Sequence, residues 1–233
     1  MPAFLPPVTL ISLPRPPAIS PRRLPRATLA VKGSARAQEI LTGLLASNND
    51  YIAGAPLPQS RLASPTLREN LAINGQHPEV AVIACADSRV APEIIFRAGL
   101  GQLFTIRNAG NVAWGDAVVG SVEFAVTVLQ VPLVIVLGHT MCGAVGAAIE
   151  TATSGEMTAK SPLANHVARI AEVIKPVLGD ENVESSAVVE NVKDGVQRLL
   201  GGGSQVAKLA KSKDIAVVGA IYDIVSGQVN VVA

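Results

Sequence analysis

The chain has 233 residues, 19 basic and 18 acidic side chains, a formal net charge of +1, and 49% hydrophobic but only 3% aromatic residues. That length and apolar content describe one folded domain with a sizeable core and exclude wholesale disorder. The balanced charge argues against a nucleic-acid binder, and two cysteines are too few for a disulfide-built secreted scaffold.

The charge is unevenly placed. Every residue from Met1 to Gln38 is neutral or basic, with cations at Arg15, Arg22, Arg23, Arg26, Lys32 and Arg36, and the first acid is Glu39. Beyond Gln38 the chain keeps 13 basic and 18 acidic residues, a net charge of −5. Eight prolines between Pro2 and Pro25 fix φ and remove backbone donors, which excludes a continuous helix or a central strand there. Residues 1–36 therefore read as a leader, either a plastid transit peptide or a plain disordered extension. Cleavage is expected near Ala27 to Ala37. The proline density favours a plastid leader over an amphipathic mitochondrial helix, with mitochondrion or cytoplasm as alternatives. Pro6, Pro7 and Pro14 break the apolar run that a secretory signal needs. Residues 37–233 remain as a single domain.

That domain alternates helix and strand. Ser34 to Asn49 carries Ile40, Leu41, Leu44 and Leu45 on one stripe, an amphipathic helix. Pro56, Pro58 and Pro65 punctuate a loop, and Pro65 to Asn74 reads as a second helix. Val80 to Cys85 is an apolar run of the kind buried on both faces of a sheet, and Leu103 to Arg107 is a second strand. Asp116 to Gln130 is a helix opened by Gly115-Asp116. Leu133 to Gly138 is a third strand, followed by a helix rich in small residues from Cys142 to Thr151.

Two further helical stripes follow. Leu163, Val167, Ile170 and Ile174 are stopped by Pro176, and Val188, Val189, Val192, Val196 and Leu199 end at Gly201-Gly202-Gly203. Ile215 to Ile224 is a fourth strand, and Val229 to Val232 follows a Ser226-Gly227 turn as its hairpin partner. The expected fold is α/β: about four parallel strands plus a C-terminal antiparallel edge strand, flanked by helices, with an N-terminal helical arm.

Ala117 to Ile149 contains a single formal charge, Glu123, and resembles a membrane span in bulk hydropathy. Glu123, Gln130 and Pro132 interrupt it, however, and its texture changes from helical to β-branched at Leu133. Two buried elements joined at a proline explain it better than a span.

In parallel α/β sheets, ligands bind beyond the carboxyl ends of the strands. Two polar clusters sit there: Cys85-Ala86-Asp87-Ser88-Arg89 after the first strand and His139-Thr140-Met141-Cys142 after the third. Cys85, Asp87 and Arg89 alternate, so on extended backbone they point the same way. His139 and Cys142 are close enough for one strand-to-helix turn to bring both onto one ion. If the first and third strands are neighbours, the clusters converge. Two thiolates and an imidazole suit zinc, and three protein ligands leave a fourth position open, as in catalytic sites. A disulfide, a pair of inert buried thiols and a surface Asp87–Arg89 ion pair are the plainer readings of the same residues.

The paired motifs, Cys85-Ala86-Asp87-Ser88-Arg89-Val90 and His139-Thr140-Met141-Cys142-Gly143-Ala144, resemble the β-class carbonic anhydrases. The similarity runs from about Ala37 to the C-terminus. It takes in the Arg107-Asn108-Ala109-Gly110-Asn111 turn and the Gly219-Ala220-Ile221-Tyr222-Asp223 strand. The resemblance implies one Zn2+ per subunit held by Cys85, His139 and Cys142, with water or hydroxide in fourth place. It implies reversible hydration of CO2 to bicarbonate and a proton by attack of that hydroxide. It assigns Asp87 and Arg89 to a catalytic dyad in which a bidentate guanidinium holds the carboxylate off the metal.

With less specificity the resemblance assigns Gln76, Phe104, Phe124 and the Gly143 amide to substrate binding. It also implies a homodimer or higher oligomer that exchanges site residues. A bicarbonate-regulated branch has tryptophan where this chain has Val82, which predicts the water-ligated state at neutral pH. His77 and His166 are the remaining histidines and receive no role. The same motifs leave open hydrolysis of carbonyl sulfide or carbon disulfide, and a non-catalytic zinc or redox-responsive protein.

Overall fold

The computed structural model describes residues 32–57, 62–154 and 161–233. The proline-rich segment through Val31, which makes up most of the expected leader, and Pro58 of the expected loop lie outside the described residues. Where the chain enters the described part, Ser34 caps helix α1 (Ala35–Ile52) by accepting a hydrogen bond from the Ala37 amide at 3.2 Å. Further α-helices among the described residues are α2 (Pro65–Asn74), α3 (Pro92–Ile95), α4 (Asp116–Thr127), α5 (Gly143–Ser154), α6 (Pro162–Ile174), α7 (Val183–Leu200) and α8 (Gln205–Lys211). The strands are β1 (Val80–Cys85), β2 (Leu103–Asn108), β3 (Leu133–His139), β4 (Ala216–Tyr222) and β5 (Val229–Val231).

The strands form one sheet in the order β2-β1-β3-β4-β5, parallel except for the antiparallel β4–β5 pair. This is the expected α/β architecture, with helices on both faces and an antiparallel edge strand. β1 and β3 are indeed neighbours, with Ala84 opposite Leu137. Alternation along each strand divides the core in two. Ala81, Ile83 and Cys85 face the layer of α4, α5, α6 and α7, with Val134 and Val136 beside them. Val80, Val82, Ala84, Leu133, Ile135 and Leu137 face the layer of α1 and α3. Both sides of β1 and β3 are therefore dry, and the apolar run that resembled a span is the helix α4, which buries only Val122, Ala125 and Val126, followed by the fully buried strand β3. Among the described residues, no helix is long and apolar enough to cross a membrane.

Several boundaries differ from the periodicity reading. α4 ends at Thr127 instead of Gln130, whose backbone turns left-handed (φ +56°) to redirect the chain into β3. α1 extends past Asn49, and Asn48 is buried because its amide donates to the carbonyls of Ile95 and Gly227 while its oxygen accepts from Val229. The helices α3 and α8 carry too few apolar positions to show a stripe. Leu163, expected on the buried stripe of α6, is 71% exposed because it sits in the helix's first turn, beyond the layer it packs on.

Close approach of α7 to the sheet positions the site. A Cβ on Gly138 would lie 2.5 Å from Val192, and one on Gly219 would lie 2.6 Å from the same side chain. Val192 thus seats between two glycines of adjacent strands, β3 and β4, and places its neighbour Asn191 over the strand ends.

Candidate metal centre

Cys85 is the last residue of β1, His139 the last of β3, and Cys142 follows a tight turn whose Met141 has a left-handed backbone (φ +58°). The ligand atoms of these three buried side chains all lie within 4.8 Å of one another. Two zinc–sulfur bonds of ~2.3 Å would put the sulfurs about 3.8 Å apart, so the span fits one ion. His139 is fully buried. Its Nδ1 donates to the Thr140 carbonyl at 2.9 Å, which leaves Nε2 bare and without a hydrogen-bond partner. A buried imidazole nitrogen with a free lone pair, aimed at two thiols, is the donor set of a metal site and an expensive arrangement otherwise.

Thr140 is itself pinned. Its amide donates to Tyr222 on β4, and its hydroxyl accepts from the Ile224 amide.

The sulfurs are electrostatically unequal. A hydrogen bond from Cys142, helped by the imidazole and the Gly110 amide, draws Cys85 down from the ordinary thiol range to about 4. The same contact, together with burial, pushes Cys142 up. Both cysteines are free thiols, so the disulfide reading fails in this fold.

Asp87 lies beside this cluster, its Oδ2 3.9 Å from His139 Nε2. Arg89 grips it with Nε to Oδ1 at 3.0 Å and Nη2 to Oδ2 at 2.7 Å, while the Arg89 amide donates to Oδ1 at 2.9 Å. The guanidinium hydrogen bonds hold the carboxyl down at about 2, against the opposing effect of burial. Arg89 Nη2 also reaches the Met141 carbonyl at 3.3 Å, which ties the two strand-end loops together.

Comparison with known proteins agrees with this geometry. The carbonic anhydrase family model matches residues 80–229, well over half of the chain. The chain belongs to the β-class carbonic anhydrases. It is 39% identical over 186 residues to "Carbonic anhydrase 2" of Mycobacterium tuberculosis, covering 78% of this chain and 86% of that one. A 77-residue stretch is 47% identical to "Beta carbonic anhydrase 6, mitochondrial" of Arabidopsis thaliana, covering 31% of this chain and 27% of that one. Among solved structures, the β-carbonic anhydrase CafA of the fungal pathogen Aspergillus fumigatus superposes with a TM-score of 0.62 at 29% identity, covering 82% and 90%. The chain is thus an enzyme, a carbonic anhydrase.

The other positions expected of a β-carbonic anhydrase fall less tightly. Phe104 on β2 and Phe124 on α4 touch, with ring centroids 6.2 Å apart, but Phe124 is 44% exposed. Gly143 opens α5 with free space around its Cα. Gln76 is exposed in the loop before β1, and no hydrogen bond joins it to the cluster among the described residues. His77 Nε2 lies 3.2 Å from the Asn74 carbonyl, at the end of α2.

Spacing gave Arg107 no role, yet it braces the site. Its Nε donates to the Cys85 carbonyl at 3.0 Å and its Nη2 to the Asp87 carbonyl at 2.6 Å. An exposed arginine next to a strand end was the available signal, and it does not say which carbonyls the fork will reach.

Proposed function

We propose that the chain hydrates CO2 reversibly to bicarbonate and a proton using one Zn2+ held by Cys85, His139 and Cys142. The observation that carries this reading is the unpartnered, fully buried His139 Nε2 facing two free thiols within 4.8 Å. Zinc, when bound, lowers the pKa of coordinated water to about 7 and so supplies a nucleophile at neutral pH.

The chain's own residues do the rest. Asp87, ionised and held by the fork of Arg89 at 3.9 Å from His139 Nε2, offers a carboxylate oxygen that would accept a hydrogen bond from the nucleophile and orient it. Phe104 pairs with Ala81, four residues before Cys85, and touches Phe124, so these rings and the exposed Gln76 are proposed to line the site of a second copy, while the amide of Gly143 donates to the substrate's oxygens. Arg107 keeps Cys85 and Asp87 in register by holding both carbonyls.

The deciding experiment is stopped-flow CO2 hydration with metal analysis, with sulfide release from carbonyl sulfide measured on the same preparation. The wild type should hold about one zinc per chain and hydrate CO2. Cys85→Ser should lose both, and a Cys85→Ser protein with full zinc and full rate would refute the ligand set.

We also propose a homodimer. β2 is the outer strand of the sheet and leaves one row of backbone groups for a second copy, with Phe124 and the 63%-exposed Ile94 as exposed apolar residues. Light scattering should give twice the chain mass. The leader reading rests on the acid-free, proline-dense residues 1–36, with plastid import proposed and the folded domain beginning near residue 37; Ser34, as the cap of α1, already belongs to the fold's edge. A fluorescent fusion of residues 1–36 that stays cytoplasmic would reject it.

A further inference from the structure

The Ala109–Asn111 turn after β2 touches the metal cluster through one group, the Gly110 amide, which donates to Cys85 Sγ at 3.3 Å. Gly110 has φ +74°, and a Cβ there would lie 3.0 Å from Ile170 on α6 and 3.2 Å from Ala144 on α5. The turn is therefore wedged between two helices and cannot slide. What packing leaves free is the tilt of its peptide planes.

Two side chains fix that tilt. His166 Nε2 on α6 lies 2.7 Å from the Ala109 carbonyl oxygen. That carbonyl belongs to the same peptide unit as the Gly110 amide. In a planar trans peptide the two groups point in opposite directions, so holding the oxygen aims the N–H. On the other side of Gly110, Asn191 Nδ2 on α7 donates to the Gly110 carbonyl at 2.8 Å and fixes the next plane.

Asn191 is 2% exposed, and its Oδ1 has no partner among the described residues. A buried amide left half-satisfied costs stability, and the one bond that offsets this is the one to the Gly110 carbonyl. The amide is explained by what its donor does. We propose that His166 and Asn191 are positioning residues of the metal centre, which aim the Gly110 amide at the Cys85 thiolate and thereby strengthen metal binding. This rests on the metal-site reading above.

The test uses cobalt(II) loaded into the full chain, read by the thiolate-to-cobalt charge-transfer band and by chelator competition. Asn191→Leu and His166→Ala should fold, bind cobalt about 10-fold more weakly, the lower end of the range for lost outer-sphere hydrogen bonds, and shift the band to lower energy. The thiolate, having lost its amide donor, is then the better electron donor. His166→Gln, which keeps a donor near the same place, should restore both readings.

A purely structural Asn191 predicts otherwise: Asn191→Leu less stable, because the Gly110 carbonyl loses its donor, but with wild-type affinity and band position. That result, repeated in His166→Ala, overturns the proposal. Should Asn191→Leu fail to fold, the half-exposed His166 pair decides alone. Absence of the band in the wild type would overturn the metal-site reading and this proposal with it, whereas a normal wild-type band with unmoved variants overturns this proposal only.

Discussion

Arg89→Ala tests whether the guanidinium keeps Asp87 off the metal. It removes two charge-assisted hydrogen bonds, at 3.0 and 2.7 Å, and leaves the backbone donor to Oδ1 in place. Such bonds contribute about 1.5–3 kcal/mol each when shielded. The Arg89 side chain is 48% exposed, so solvent screening reduces the pair to about 1–2 kcal/mol. That shifts the population of the held carboxylate about 5–30-fold.

The distance to be covered is small. Ligands of a tetrahedral zinc with ~2.1 Å bonds lie about 3.4 Å apart, and Asp87 Oδ2 is already 3.9 Å from His139 Nε2. Stopped-flow hydration at neutral pH should fall by up to that factor while zinc content stays constant. Asp87→Ala should also slow turnover with zinc retained. If the released carboxylate is the inhibitor, Asp87→Ala/Arg89→Ala should be no slower than Asp87→Ala alone. An Arg89→Ala enzyme at full rate, or a double variant whose two losses multiply, would refute the reasoning.

Acid should act on the metal-free protein through Asp87. Its carboxyl is held below its ordinary value of 3.8, at about 2, so its contribution to stability is complete above about pH 4 and disappears as pH falls from there through 2. Asp87→Asn should shrink the stability difference from wild type across that window, as followed by circular dichroism; a difference that persists unchanged at pH 2 would contradict the sign. At the sheet, Gly138→Ala drives a Cβ to within 2.5 Å of Val192 and should cost about 1–3 kcal/mol in urea unfolding. A Gly138→Ala midpoint equal to wild type would show that α7 is not seated as tightly as the strand glycines imply.

What the sequence revealed and what it hid divide along a physical line. The strands, the covered faces and the three candidate ligand residues were legible because each is announced locally: a β-branched run, then a Cys or His at or just past its carboxyl end. Asp87 and Arg89 were legible because alternation in an extended segment is also local. The parallel sheet came from the order of elements, and with it the convergence of Cys85 with His139, since β1 and β3 had only to be neighbours.

The supporting contacts were not legible, because each joins residues far apart in the chain through backbone atoms that carry no side-chain signature. Arg107 reaches back 20 and 22 residues to two carbonyls, His166 crosses 57 to Ala109, and Asn191 crosses 81 to Gly110. The hydrophobic stripe of α7 locates Val192 on the core side and makes its neighbour Asn191 look like a polar boundary residue. Only the close seating of Val192 between Gly138 and Gly219 turns that neighbour inward. A single sequence thus brings out the candidate ligand residues, while the geometry around them depends on helix–sheet distance, a quantity set by where the strand glycines fall.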